Sequence, residues 1–520
     1  MLVGDMLRLN ARHRGSDEAL VMGDVRLTYR QLNDQVNVVA AALRESGVGP
    51  GVRVGVLGRN SLEYVQLYFA AAKIGAILLP LNFWHRASEH QYTLRDAEPR
   101  ILFVEPQYQE IIGDSLRGIG EVNEPELHTL PGQNDKGTWE DFVARARSTE
   151  EPGSDFPEET PHMILYTSGT TGKPKGAVIS HERTVRDAFA MAGALGLNSD
   201  DRFLNLYPAF HVANWDQQKL YLLVGATVVL LREYDPEAVL RTIQQEGITS
   251  IVASPTMLHG IFRHPTFEST DLSSLRLLLY GAYDPSGIME EAVDRLGAKE
   301  GKTEMVHSYG LTEAGPFVTL LPASELFDHW GSIGRPIRGV EVVLLDDEDE
   351  AVALGDPGEI CIRGPRLSEY WKRPEETERA LSGGWFHTGD IAIEDEKGYL
   401  RIVDRKKDMI RSGGQNVYSK EVENCLLRHE AVQECAIIGL PDDVYGERVH
   451  AVVVLNSGYE PTPDTAAILQ KHVRESMAGY NTPKSIDFVS ELPMTSVGKV
   501  QKHLLRAEYG SPFTGSSSQG

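Results

Sequence analysis

Cysteine is nearly absent from this chain: Cys361, Cys425 and Cys435 are the only three among 520 residues, and no two have Cys-x-x-Cys spacing. This gives no even disulfide framework and no Cys-x-x-Cys metal spacing, and it predicts buried free thiols in a reducing compartment. Positive charge is also short. Lys and Arg number 51 against 75 Asp and Glu, a formal net charge of −24, so the overall field attracts neither nucleic acid nor an anionic membrane. Anionic small molecules would need local basic sites. The longest apolar stretch, around Leu220 to Leu231, is broken by Gly225 and is too short to span a bilayer. The start, Met1-Leu2-Val3-Gly4-Asp5-Met6, carries an early acid in place of a basic region and an apolar core. The expected location is cytoplasmic, with no integral membrane segment.

With 41% hydrophobic and 24% charged residues, the chain is long enough for two or more globular domains. Strand-like runs at Val54-Gly55-Val56-Leu57, Ala76-Ile77-Leu78-Leu79, Ile101-Leu102-Phe103-Val104 and Ala226 to Leu231 alternate with helix-like stretches such as Tyr29 to Ser46. Such alternation predicts an α/β fold with mostly parallel sheets covered by helices. Residues from about Glu121 to Phe156, rich in Gly, Pro, Asn, Asp and Glu, are expected to form a solvated excursion. The low-complexity tail 510–520 is expected to fray.

The densest chemical signal is Tyr166-Thr167-Ser168-Gly169-Thr170-Thr171-Gly172-Lys173-Pro174-Lys175-Gly176, directly after the strand-like Met163-Ile164-Leu165-Tyr166. Glycines let backbone N–H groups converge, hydroxyls add donors and Lys175 adds a mobile positive charge, which together make a phosphate cradle. A Walker A loop is excluded, because Gly172-Lys173 is followed by Pro174 where Ser or Thr is required.

This segment resembles the phosphate loop of the adenylate-forming superfamily, which includes acyl-CoA synthetases, peptide-synthetase adenylation domains and firefly-type luciferases. Tyr309-Gly310-Leu311-Thr312-Glu313 is similar to the family's second nucleotide motif. The resemblance implies that Tyr309 stacks on adenine, Thr312 touches phosphate and Glu313 holds magnesium, a hard ion suited to carboxylate and phosphate oxygens. Gly281 and Ala282 would wall the same pocket. Trp385-Phe386-His387-Thr388-Gly389-Asp390 resembles the ribose motif, with Asp390 bonding both hydroxyls and Arg405 bracketing the sugar. Asp404 matches the family's hinge acid. Pro493-Met494-Thr495-Ser496-Val497-Gly498-Lys499-Val500 resembles the segment whose lysine, here Lys499, stabilises charge gathering on the α-phosphate.

The resemblance also implies a thiol path. Ser412, Gly413 and Gly414 match the segment lining the pantetheine tunnel. His211 matches an aromatic position where acyl group and thiol meet, expected to serve as a gate or wall more than as a base, since a thiol near pKa of about 8.5 ionises readily. Trp215 sits where some long-chain relatives carry a tryptophan gate; a core tryptophan is the alternative. Tyr283, with Asp284, stands where the family has small or apolar residues beside the acyl and adenine pocket. Ser419 replaces a frequent proline, and Glu369 a usual glycine.

These matches, from about Leu20 to Leu505, imply a large N-terminal multi-layer α/β domain over 1–403 and a small mobile α+β domain over 404–509. They imply an acyl-CoA ligase that takes a medium-to-large apolar carboxylic acid through an acyl-adenylate, with ATP and magnesium (Mg2+) as cofactors and coenzyme A as co-substrate. The small domain would rotate about Asp404 between the half-reactions. Other readings of the same residues are a ligase that mainly thioesterifies a supplied adenylate, a carrier-protein loader, a luciferase-like oxygenase and a non-catalytic nucleotide sensor. The expected partners are the acid or its adenylate and CoA, with no nucleic acid; a homodimer is left open.

Overall fold

The computed structural model describes residues 1–117, 119, 124–132, 137–167, 174–281, 287–364, 369–494 and 500–510. Two compact units emerge, one formed by Met1–Val342 with Ile362–Phe386 and the other by Val343–Cys361 with His387–Gly520.

The first unit is built on two large sheets. One has nine strands, with Glu304–Leu311, Leu277–Tyr280, Ser250–Ala253, Arg202–Asn205, Thr227–Leu230 and Glu18–Met22 running parallel through its centre. The other has seven, whose parallel part runs from Pro161–Thr167 through Ile77–Pro80, Arg53–Leu57 and Ile101–Val104 to Glu126–Thr129. Alternate residues of the seven-stranded sheet bury on opposite faces. Val54, Val56 and Leu78 join the core shared with the nine-stranded sheet, while Leu57, Ile77 and Leu79 pack under an outer layer that includes Leu94 and Ile112. Burial on both faces explains why these strands read as unbroken apolar runs. The helix Leu62–Lys73, buried from Tyr64 onward, belongs to the shared core.

The apolar stretch at Leu220 to Leu231 resolves into two elements. The helix Val212–Val224 ends on Gly225, which adopts φ 82°, and the strand Thr227–Leu230 follows. Only glycine takes that left-handed C-cap conformation without strain. Among the described residues no helix is long and apolar enough to cross a membrane.

The solvated excursion expected over Glu121 to Phe156 is only partly so. Glu126–Thr129 adds an edge strand to the seven-stranded sheet, and the helix Trp139–Val143 buries Trp139 and Phe142 against Phe103. Glu151 pairs with the buried Lys73 at 2.6 Å. Polar composition concealed these anchors, because one aromatic per turn is enough to dock a short helix.

The second unit contains a five-stranded sheet in which the long hairpin Val432–Asp442 and Gly446–Leu455 is flanked by Ile410–Ser412, Gln415–Val417 and Ser485–Phe488. Helices Ser419–Leu427 and Pro463–Ser476 cover one face through Val422, Leu426, Leu469 and Val473, while Leu505 of Lys502–Tyr509 seals the other. This is the α+β organisation expected for the small domain. The same unit holds the antiparallel pairing of Phe386–Glu394 with Leu400–Arg405. All three cysteines are buried and free.

Candidate active site

The phosphate-cradle segment lies on a hairpin of the first unit. Pro161–Thr167 and Lys175–Ser180 pair antiparallel, with Thr167 opposite Lys175. Ser168, Gly169, Thr170, Thr171 and Gly172 fall outside the described residues, as do Ala282, Tyr283 and Lys499. The feet of the loop are firmly held. Tyr166 donates its hydroxyl to Asp96 at 2.6 Å, Tyr92 donates to the Pro174 carbonyl at 3.0 Å, and Arg373 reaches both Asp96 at 2.8 Å and Tyr92 at 3.1 Å. Burial, reinforced by the Asp96 carboxylate, pushes the Tyr166 phenol well above its ordinary pKa, so it stays a donor.

Glu313 meets this hairpin. Its Oε1 accepts from the Thr167 hydroxyl at 3.0 Å and from the Tyr370 hydroxyl at 3.2 Å, and Lys175 Nζ lies 5.3 Å from the Tyr370 ring centroid. Both donors are neutral and both land on one oxygen. The carboxylate is therefore oriented while its charge stays unneutralised by them, the condition under which a hard cation would be held. Tyr370 was missed in the sequence, although its segment had been singled out for Glu369; nothing in Tyr370-Trp371 announces a partner 57 positions away.

Tyr309 and Gly310 end the strand Glu304–Leu311, where the pairing with Gly315–Leu321 shifts register. Side-chain bulk is excluded at Gly310, since a Cβ there would sit 2.2 Å from the Gly315 carbonyl oxygen. At Gly281 a Cβ would lie 2.9 Å from the Ser308 carbonyl oxygen. The Thr312 carbonyl accepts from Arg183 at 3.1 Å.

His211 caps the helix Val212–Val224: its Nδ1 accepts from the Ala213 N–H at 3.1 Å and its ring lies over Tyr207 at 5.5 Å. Trp215 has the surroundings of a core residue. It is 2% exposed, stacks on Tyr68 at 4.3 Å and donates to the Ala209 carbonyl at 2.6 Å.

In the second unit, Asp390 and Arg405 are cross-strand partners, and Arg405 Nε meets Asp390 Oδ1 at 3.0 Å. The turn before Asp390 is fixed by Glu359, which accepts from the Gly389 N–H at 2.9 Å and from Lys406 Nζ at 3.0 Å. Glu359, Cys361 and His387 form the one cluster among the described residues with metal-like spacing. Lys406 already supplies its cation, and burial pushes the Cys361 thiol up to about 12.

Asp404 is buried, and burial raises its carboxyl pKa against the opposing pull of Lys502. Its Oδ1 accepts from the Arg405 N–H at 2.7 Å and the Ser419 hydroxyl at 3.0 Å, while Oδ2 accepts from the Ser419 N–H. Ser419 in turn accepts from Lys502 at 2.8 Å. A proline there would provide neither donor. Gly413 and Gly414, at φ 60° and 79°, occupy the two central positions between the paired Ser412 and Gln415. Two successive positive φ angles make a two-residue hairpin turn, so turn geometry alone accounts for both glycines.

The sequence pattern of the family described as AMP-binding enzyme matches residues 7–371, and that of the AMP-binding enzyme C-terminal domain matches residues 421–499. The chain is similar to a feruloyl-CoA synthase of Amycolatopsis sp, with 38% identity over 94% of this chain and 95% of the relative. It is also similar to an indoleacetate–CoA ligase of Aromatoleum aromaticum, with 36% identity over 92% of each. Among solved structures, the anthranilate CoA ligase AuaEII in complex with anthranoyl-AMP superposes with a TM-score of 0.85, at 30% identity, covering 98% of this chain and 97% of that one.

Proposed function

We propose that this chain, which belongs to the AMP-binding enzyme family, is an acid–thiol ligase converting a medium-to-large apolar carboxylic acid to its CoA thioester through an acyl-adenylate. Aromatic acids are its first candidates, given relatives named for feruloyl, indoleacetate and anthranilate groups. The observation that carries the reading is Glu313, oriented by Thr167 and Tyr370 at the foot of the phosphate-cradle hairpin.

In the first half-reaction the substrate carboxylate attacks the α-phosphate of ATP and pyrophosphate leaves. The residues present fit magnesium, because Glu313 offers a hard oxygen held by neutral donors; the bound ion would neutralise phosphate charge. Thr167 and Lys175 flank the phosphates, Tyr309 packs against adenine, and Asp390 takes the ribose hydroxyls after loosening from Arg405. Lys499, outside the described residues, stabilises the charge that develops during transfer. In the second half-reaction the CoA thiolate attacks the acyl carbonyl and AMP departs. Rotation about Asp404 would withdraw Lys499 and admit the thiol, since one site does not hold both at once.

Lys499→Ala tests this scheme. A folded variant is expected to lose thioester formation from acid and ATP by about a hundredfold or more, yet to convert supplied acyl-AMP and CoA at close to the parent rate. Equal loss in both steps would contradict the assignment.

A further inference from the structure

Four charged side chains lie together in the interior of the first unit: Arg183 and Asp187 on the helix His181–Ala194, and Asp216 and Lys219 on the helix Val212–Val224, each no more than 3% exposed. Arg183 Nε faces Asp187 Oδ2 at 3.5 Å, its Nη2 faces Asp216 Oδ2 at 3.6 Å, and Lys219 Nζ meets Asp216 Oδ1 at 2.5 Å. The charges cancel, two against two. Burying them is nonetheless expensive, and apolar residues of similar volume would often hold the same space at least as stably. The quartet therefore calls for a use beyond packing.

A hydrogen bond to the Glu313 turn supplies that use. Arg183 Nη1 donates to the carbonyl of Thr312 at 3.1 Å, and Thr312 immediately precedes Glu313. The turn presses directly on the quartet: at Gly315, φ 87°, a Cβ would stand 2.6 Å from Asp187 Oδ2 and 3.1 Å from Arg183 Nη2. Arg183 also sits in the first helical turn after Lys175–Ser180, the strand that leaves the phosphate-cradle loop. One buried guanidinium thus ties the far side of the Glu313 turn to the element that returns from the loop, while Thr167 ties its near side. Nη1 makes the hydrogen bond to the turn, while Nε and Nη2 face the two carboxylates without hydrogen-bonding them, and a planar fork reaches all three directions where an ammonium would not.

We propose that Arg183 is a positioning residue for the nucleotide half of the reaction, holding the Thr312-Glu313 turn through the Thr312 carbonyl with Asp187, Asp216 and Lys219 as its counter-charges. The proposal rests on the reading of Glu313 as the magnesium-side carboxylate. Arg183→Gln combined with Asp187→Asn removes the tie while keeping the buried charge balanced. In pyrophosphate exchange, the magnesium concentration for half-maximal rate and the KM for MgATP are expected to rise about tenfold, a shift of about 1.4 kcal/mol. The KM for CoA and thioester formation from supplied acyl-AMP should stay within about twofold. A merely structural role would lower both half-reactions together and leave magnesium dependence unmoved. Arg183→Lys, which retains the charge but not the fork, is expected to show a smaller rise of about threefold, and it carries the test if the double variant does not fold. Unmoved magnesium dependence in a folded variant, with Glu313→Gln shifting it, would overturn the proposal alone. If Glu313→Gln also left it unmoved, the reading of Glu313 would fall and this proposal with it.

Discussion

Glu313 and Asp390 are both carboxylates expected to serve the nucleotide, yet their surroundings are opposite in kind. Glu313 is held by two neutral hydroxyls on one oxygen, whereas Asp390 is paired with a guanidinium across the strand pair. Neutral donors fix direction and leave charge available for a cation. An ion pair satisfies charge in advance, so the partner must yield when a ribose arrives. Asp390 is nearly buried and Arg405 about half exposed, so under the proposed function Arg405 is the member expected to move. On the same reading, Glu313 would be a carboxylate available to a metal and Asp390 one whose ion pair yields to sugar hydroxyls.

The largest effect should come from breaking the first arrangement. Glu313→Gln keeps the shape and removes the charge, and is expected to lower pyrophosphate exchange on the order of a hundredfold while leaving thioesterification of supplied acyl-AMP largely intact. Asp390→Asn should raise the KM for ATP about tenfold, the scale of one or two charged hydrogen bonds, with little change in magnesium dependence. If the two variants shifted the same parameters equally, the distinction between metal-side and sugar-side carboxylates would be lost.

Ser419→Pro comes next. Proline suits the first position of a helix, where its missing N–H would be unpaired in any case. The loss would fall on Asp404, which keeps only the Arg405 N–H of its three donors. Chemical denaturation should show a loss of about 1–3 kcal/mol. An unchanged midpoint would mean that Asp404 finds other partners.

A pH-resolved effect sharpens the contrast from the first unit. Burial raises Asp187 from 3.8 to about 6, the Asp216 charge adding to it while Lys219 and Arg183 oppose it. The native state therefore binds more protons than the unfolded chain between these values. The associated stability is fully present below 3.8 and is lost as pH rises through about 6. Asp187→Asn should flatten stability over that window, by up to about 3 kcal/mol at roughly 1.4 kcal/mol per pKa unit. Denaturation midpoints at pH 4 to 7 check this.

What could be read beforehand was what lies contiguous in the chain. The parallel strands announced themselves because both faces are buried, and the nucleotide motifs because their residues are neighbours in sequence. Tyr370 and Arg183 were not legible, since each meets the 312–313 turn from more than fifty positions away and no motif assigns either a role there. The solvated composition of 121–156 hid the strand Glu126–Thr129 and the docking of Trp139 and Phe142. Ser419 looked like a simple departure from proline, whereas its value lies in the two donors that proline lacks. Gly413-Gly414 shows the converse, a motif whose glycines have a sufficient local reason in the hairpin they close.

The most direct test of the central claim is to incubate the protein with MgATP and a panel of aromatic and fatty acids, first without CoA and then with it, reading products by mass. The account predicts that acyl-AMP forms with at least one acid before CoA is added and converts to acyl-CoA afterwards. Conversion of synthetic acyl-AMP to thioester, with no adenylate formed from ATP and any acid, would contradict it.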